Sequence, residues 1–342
     1  MLLRVLFFTA VAAAQTSPDA LLPAGHFKKF REAAAAHKAE DAEGWYLRAT
    51  VAQLFGSLDD AEKLAERAVA ANPKEARYHY RLAVVSGIKA QRASVLHQLG
   101  LARKFTREAD ATLAIDPNHV RTLDMMLSFY LEAPGMMGGS KEKARGVADQ
   151  LMKIDPVEGY RAQMTLARYD KEDSKVEGLV RKSVEASPGS WEAHMDLANW
   201  CASQKKFAEA EQHAREAIRI HPDRGGAYGT LAATLVHQDK WADLDAVLVQ
   251  AEKADPDNLV AYFRAGNNCL GRKVELSRAE RYFRKYLGQE PEAETPSLSA
   301  AHWRLGLVLE QEGRKADAIT ELQTALKMDP NSGAKADLKR LK

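Results

Sequence analysis

Small and apolar residues recur along this chain at fixed distances ahead of a set of prolines. Pro73, Pro117, Pro156, Pro188, Pro222, Pro256, Pro291 and Pro330 are separated by 44, 39, 32, 34, 34, 35 and 39 residues. Twelve positions before them stand Ala61, Phe105, Ala144, Val176, Ala210, Leu244, Ala279 and Ala318. Five positions before them stand Ala68, Thr112, Leu151, Ser183, Ala217, Ala251, Tyr286 and Ala325. A short polar residue precedes most of them: Asn72, Asp116, Asp155, Ser187, Asp255 and Asp329. Small side chains at these spacings let two helices approach closely. Proline then ends the second helix, because it has no N–H with which to continue the ladder. The pattern predicts one helical hairpin per period, repeated along the chain.

The unit WEAHMDLANWCASQKKFAEAEQHAREAIRIHP (191–222) resembles the tetratricopeptide repeat (TPR), a helix-turn-helix unit of 34 residues. It carries Leu197 and Ala198 where the family has Leu-Gly, then Phe207, Ala210, Ala214, Ala217 and Pro222. The last unit matches at Leu305, Gly306, Gly313, Ala318, Ala325 and Pro330, and the first at Trp45, Ala49, Gly56, Ala61, Ala68 and Pro73. Residues 157–188 form a degenerate copy. The resemblance implies an all-α fold: a right-handed α-solenoid of about eight TPR-like repeats over residues 42–330, with terminal capping helices. Residues 15–41 then form an N-terminal capping region and 331–342 a C-terminal capping helix. Residues 76–117 are enlarged, by longer helices or a bulging turn, and EAETPSLS (292–299) lengthens the last linker.

The stretch APGMMGGSKEKA (133–144) departs from the regular turn. A phosphate-cradling loop needs G-x-x-x-x-G-K-[ST]. Here Gly135 and Gly139 have the wrong spacing, and Ser140 precedes Lys141. The stretch reads as a lengthened turn inside the third repeat, with Ser140 capping the following helix. Long loops also contact ligands, and Met136 with Met137 would form an exposed apolar tip.

Composition adds bounds. The 342 residues hold 49 basic and 47 acidic side chains, a balance without the bulk bias of a nucleic-acid or anionic-membrane binder. MLLRVLFFTAVAAAQTS opens with Arg4, an apolar run from Val5 to Val11 and three alanines. This is the layout of a secretory signal over residues 1–14, of the kind bacterial exported proteins carry, cleaved after Ala14. The expected destination is the periplasm or the exterior; the alternative is a buried N-terminal helix. No later segment is apolar enough to span a bilayer. Cys201 and Cys269 fall at equivalent inward positions two units apart, too far for a disulfide, and read as core thiols.

Catalytic motifs of the H-E-x-x-H, G-x-S-x-G and G-x-G-x-x-G types are missing from the sequence. His194, His213 and His221 have spacings that place them on different faces, and no metal, cofactor or enzymatic activity is expected. The resemblance instead implies a concave groove lined by the first helix of each repeat. Mapped onto this chain, it presents Tyr46 and Thr50, Arg77 and Tyr80, Arg121 and Asp124, Met195 and Asn199, His237, Phe263 and Asn267, and Trp303. Rings and amides interleaved in this way suit an extended peptide. The family's carboxylate clamp is not expected, because its Lys and Arg positions hold Met195, Glu192 and Phe263. The function implied is a non-catalytic scaffold for a peptide or protein partner. The alternatives are a carrier or accessory subunit of an envelope enzyme or transport system, and an enzyme whose site lies hidden between repeats.

Overall fold

A computed structural model describes residues 17–342, so the expected signal, residues 1–14, lies outside the described residues. Two helices, α1 (Leu21–Ala24) and α2 (Phe27–Ala36), precede eight consecutive helical hairpins. Repeat 1 pairs α3 (Ala42–Phe55) with α4 (Leu58–Ala71), and repeat 2 pairs α5 (Ala76–Arg92) with α6 (Val95–Ile115). Repeat 3 pairs α7 (Val120–Glu132) with α8 (Lys141–Ile154), and repeat 4 pairs α9 (Pro156–Tyr169) with α10 (Val176–Ala186). Repeat 5 is α11 (Trp191–Ser203) and α12 (Phe207–Ile220); repeat 6 is α13 (Gly225–His237) and α14 (Trp241–Ala254). Repeat 7 is α15 (Val260–Arg272) and α16 (Leu276–Tyr286); repeat 8 is α17 (Leu298–Gln311) and α18 (Lys315–Met328). A last helix, α19 (Ala334–Leu341), follows. The fold is an all-α solenoid, and no strand occurs among the described residues.

The proline-linked positions explain the stack. All sixteen residues twelve and five places ahead of the prolines are buried, so they form the seams where helices meet. The residue before proline is the C-terminal cap in seven of the eight second helices, at Asn72, Asp116, Asp155, Ser187, His221, Asp255 and Asp329. The short polar side chain has its own task. The side-chain oxygens of Asn72, Asp116, Asp155 and Asp329 each accept a hydrogen bond from the backbone N–H two residues on, which turns the chain into the next repeat. The carbonyls of three prolines are met by the side chain six residues later: Pro73 by His79 at 3.0 Å, Pro188 by His194 at 2.9 Å and Pro222 by Tyr228 at 2.9 Å.

Turns inside the repeats are also periodic. Lys171, Lys205, Asp239 and Lys273 all adopt left-handed backbone angles, with φ between 55° and 60°, at the residue that redirects the chain between paired helices. Ion pairs such as Arg77–Glu43, Arg161–Asp196 and Arg314–Glu280 join residues 34 or 35 positions apart, and so tie each repeat to its neighbour. The enlargement of repeat 2 consists of longer helices, 17 and 21 residues, joined through Ala93 and Ser94. In repeat 3 the long turn is ordered. Gly138 has φ +103°, and a Cβ at Gly139 would come within 1.8 Å of the Ala133 carbonyl oxygen. These glycines serve backbone geometry, and Ser140 caps α8 by accepting from the Lys143 N–H.

The N-terminal segment does more than cover repeat 1. Phe30 and Ala34 on α2 are buried with Tyr46, Leu47 and Tyr78. The rest of α2 and its leading turn reach the inter-repeat turns of repeats 5–8. His26 lies 3.2 Å from Asp255 and 3.5 Å from Asp223. Lys28 donates to the Asp257 carbonyl at 3.1 Å, and the Lys28 N–H donates to Glu292 at 2.9 Å. Arg31 forms a two-pronged pair with Glu290. Asp255 is the proline-preceding residue that turns its carboxylate to His26 and Lys29 instead of to its own turn.

Candidate functional site

The first helix of each repeat contributes to one face of the stack, but the residues expected to line it behave in three different ways. Tyr46, Met195 and Phe263 are buried and offer a partner no surface. Tyr46 donates to Asp19 at 2.7 Å, while Met195 belongs to the central core. Phe263 stands edge-on to Phe283 and tilted over Tyr286, both on its own repeat's second helix. The expectation that these three face the open groove is therefore corrected: Tyr46 packs with Phe30 of α2 and Tyr78 of the next repeat, Met195 fills the central core, and Phe263 packs on the paired helix of its own repeat. Thr50 is buried too and donates to the Tyr46 carbonyl.

Trp303, His237, Tyr80 and Arg77 are half-buried and already engaged. Trp303 donates its indole N–H to Asp337 of α19 at 2.8 Å, and its ring lies under Gly333. It closes the C-terminal end of the stack. The His237 ring stacks on Phe207, with centroids 4.4 Å apart, and its Nε2 meets Asn268. Tyr80 leans on His119. Arg77 is held by Asp19, Glu43 and Glu75.

Asn199, Asn267, Arg121 and Asp124 remain at least partly open to solvent. Asn199 is the best placed. It accepts from Thr230, which in turn accepts from Arg264, a ladder across repeats 5, 6 and 7. Asn199 also lines a cavity of about 340 Å³ between repeats 4 and 5, together with Arg161, Arg168, Asp196 and Trp200. Arg161 donates to Asp196 at 2.6 Å and to Glu158 at 3.3 Å. Burial opposes the Arg161 charge, but the bonds to Asp196 outweigh it and hold the guanidinium pKa above its ordinary value. Arg168 is exposed beside this fixed pair, and Lys206 lies over the Trp200 ring at 4.6 Å. The opening thus presents a cation, an amide and an indole on rigid helices.

Mapping by helix position missed Arg161, Arg168 and Trp200. Repeat 4 is the degenerate copy, so its first helix was not aligned with the others, although Arg161 stands 35 residues before Asp196. At the far side of the stack, the groove is partly filled by the chain itself. Residues of the Leu22–Phe27 segment line one cavity of about 290 Å³ with Trp191, Arg224, Asn258 and Arg264. His194 and His213, assigned to different faces by their spacing, in fact meet across repeat 5 at 2.9 Å. No cluster of three potential metal ligands occurs among the described residues. Cys201 and Cys269 are free and buried, and burial pushes their thiols up to about 12 and about 11.

The family model for the tetratricopeptide repeat matches residues 55–86, 177–224 and 275–333. These three stretches, which fall in repeats 1–2, 4–5 and 7–8, thus carry the tetratricopeptide-repeat pattern. No curated protein matches it. Among solved structures it is similar to yeast Tom70, at 12% identity and TM-score 0.50, over 95% of this chain and 86% of that one. It is also similar to a tetratricopeptide repeat protein of Parabacteroides merdae, at 13% identity and TM-score 0.44, over 89% and 99% of the two chains. A third similarity is to a human IFIT1 dimer with PPP-AAAA, at 14% identity and TM-score 0.45, over 84% and 73%. At these identities the likeness is one of fold. Proteins of this fold generally mediate protein–protein interaction.

Proposed function

We propose that this chain is a non-catalytic scaffold that holds a peptide or protein segment, rather than nucleic acid, in the groove of repeats 2–5. The observation that carries the reading is the opening around Arg161, Arg168, Asn199 and Trp200. It is lined from two adjacent first helices, with Arg161 fixed and Arg168 left without an ion-pair partner among the described residues. A peptide backbone finds both a donor and an acceptor in the Asn199 amide, and an apolar side chain finds the Trp200 ring. Repeats 5–7 are the less accessible part of the groove, because the N-terminal segment lies against them. We further propose export of the chain by its N-terminal signal.

Two measurements test these readings. Affinity capture with the full chain, repeated with Arg168→Glu and with Trp200→Ala, should lose a stoichiometric protein partner in both variants while the melting temperature stays native. Retention of the same partner by both would move the site elsewhere. Mass spectrometry of the protein from its native cell should find an N-terminus near Gln15; an intact Met1 would rule out cleavage.

A further inference from the structure

The two irregular stretches of the chain, the long helices of repeat 2 and the long turn of repeat 3, meet in space. Together they enclose a cavity of about 480 Å³. Phe105 from α6 and Met125 and Phe129 from α7 give it an apolar lining. The two phenylalanine rings are tilted against each other, 5.3 Å between centroids. Pro134 and Met137 of the long turn complete one side, and Met136, next in sequence, stands 91% exposed. Regular repeats have short hairpin turns and build no such bowl. Its volume lies within the roughly 300–1,000 Å³ typical of ligand sites.

The charged groups are arranged on one side, while Gln91 and Gln98 line the walls contributed by α5 and α6. Asp124, Ser128 and Glu132 follow one another at intervals of four along α7, so they form a row on a single helical face. No lysine, arginine or histidine is among the lining residues. Neither Asp124 nor Glu132 forms an ion pair among the described residues. Desolvation raises the Asp124 carboxyl above its usual range, with Arg161 pulling the other way, although part of the residue meets solvent. An apolar bowl with unpaired carboxylates at both ends of its wall is complementary to an apolar group flanked by cations. Eight residues of helix separate the carboxylates by about 12 Å. An extended chain covers that distance in about four residues.

We propose that this bowl is the specificity pocket for the partner: it seats one bulky apolar side chain of an extended peptide that carries basic residues two positions to either side. The proposal rests on the reading of the chain as a peptide-holding scaffold and names the class of peptide. Asp124 and Glu132 receive the two cations, while Phe105, Met125 and Phe129 receive the apolar side chain.

The test uses the full chain and three fluorescein-labelled peptides, read by fluorescence anisotropy. The first is Gly-Ser-Lys-Ala-Phe-Ala-Lys-Ser-Gly. The second has both lysines replaced by glutamate, and the third has the phenylalanine replaced by serine. The first should bind at least about tenfold more tightly than either other, and lose affinity as salt rises. The double variant Asp124→Asn, Glu132→Gln should remove about tenfold of that preference and most of the salt dependence, with an unchanged circular dichroism melt. Ser128→Phe, which fills the bowl, should abolish binding; if it fails to fold, the double variant decides alone. Equal binding of all three peptides, or none at concentrations up to about 1 mM, overturns the proposal. So does preference for the first peptide that the double variant leaves intact but Arg168→Glu removes; that result keeps the scaffold reading and discards this pocket. A stoichiometric small molecule in native mass spectra of the purified chain, displaced by none of the peptides, overturns both and favours a carrier.

Discussion

The imidazoles of His194 and His213 meet nitrogen to nitrogen, Nδ1 to Nδ1, at 2.9 Å. The Pro188 carbonyl can only accept, so the His194 Nε2 beside it carries a proton and the neutral ring's Nδ1 accepts from His213. A further proton on His213 goes to its Nε2 and leaves this bond in place, so burial of the ring is what chiefly opposes the charge. Burial, and next His194, hold the His213 pKa below the ordinary 6.5. A histidine depressed in the folded state contributes stability that is complete above 6.5 and lost as pH falls through its lower folded value. The melting temperature should therefore drop as the solution is acidified below that point. His213→Gln keeps a donor without the titration and should show a shallower drop. Parallel slopes in the two proteins would locate the proton uptake elsewhere.

Glu292 gives the opposite sign. Its carboxylate accepts from the Lys28 N–H through Oε2, and Oε1 is buried without a partner. Burial pushes its pKa up to about 7, with Asp255 and Asp257 adding to the rise and Lys28 opposing it. An acid raised in the folded state contributes stability that is complete below its unfolded pKa and lost as pH climbs through 7. Glu292→Gln should match the parent at pH about 4.5 and melt higher at pH about 8. Hydrogen exchange over residues 26–36 is the local readout, since that segment is what Glu292 holds. Parent protection that persists at alkaline pH would contradict the assignment.

The lysines that stand left-handed at intra-repeat turns, Lys171, Lys205 and Lys273, offer a stability gain. A side chain in that conformation costs about 1–2 kcal/mol, against about 0.5–1 kcal/mol of extra entropy lost by glycine. Lys205→Gly should accordingly stabilise the chain by up to about 1 kcal/mol. Gly313, with φ +79° at the corresponding turn of repeat 8, is the chain's own precedent. Urea unfolding of Lys171→Gly, Lys205→Gly and Lys273→Gly, singly, checks the sign; destabilisation in all three would show that the lysine side chains hold the turns.

Phe263→Ala separates packing from binding. The ring is buried against Phe283 and Tyr286, with centroids 5.5 and 5.2 Å away. Truncation should cost about 3–5 kcal/mol of stability and leave partner affinity at low temperature unchanged. A native melt with lost affinity would restore Phe263 to the groove.

How far the sequence carried these conclusions depended on the range of each contact. The hairpins were legible because Ala61, Ala68 and their counterparts recur at spacings set by neighbouring helices, and because the proline after each second helix cannot continue that helix's ladder. Even the polar residue before proline acts within two positions, as Asp155 does for Val157. Groove residues were harder, because a helix position fixes a direction only while the repeat is regular. Phe263 turned inward where large rings on α16 gave it a surface, and Arg161 was hidden in the degenerate copy. The bowl beside Phe105 needed two insertions in different repeats to be superposed in space. Nothing local in HFKKFRE announces partners more than two hundred residues away.

That last separation has a consequence in time. His26 meets a residue 229 positions further on, and the Lys28 N–H one 264 positions further on. A stack of hairpins with neighbour-only contacts can assemble in the order in which it is made. The acidic turns that receive the polar face of α2 do not exist until repeat 7 and its following linker have been made. At roughly 5–20 residues per second, α2 waits on the order of 10–50 s, its basic face unpaired, before its acidic turns emerge. Closure of α2 onto these turns is therefore a late event of assembly, and until repeat 7 is in place the stack is an open spiral.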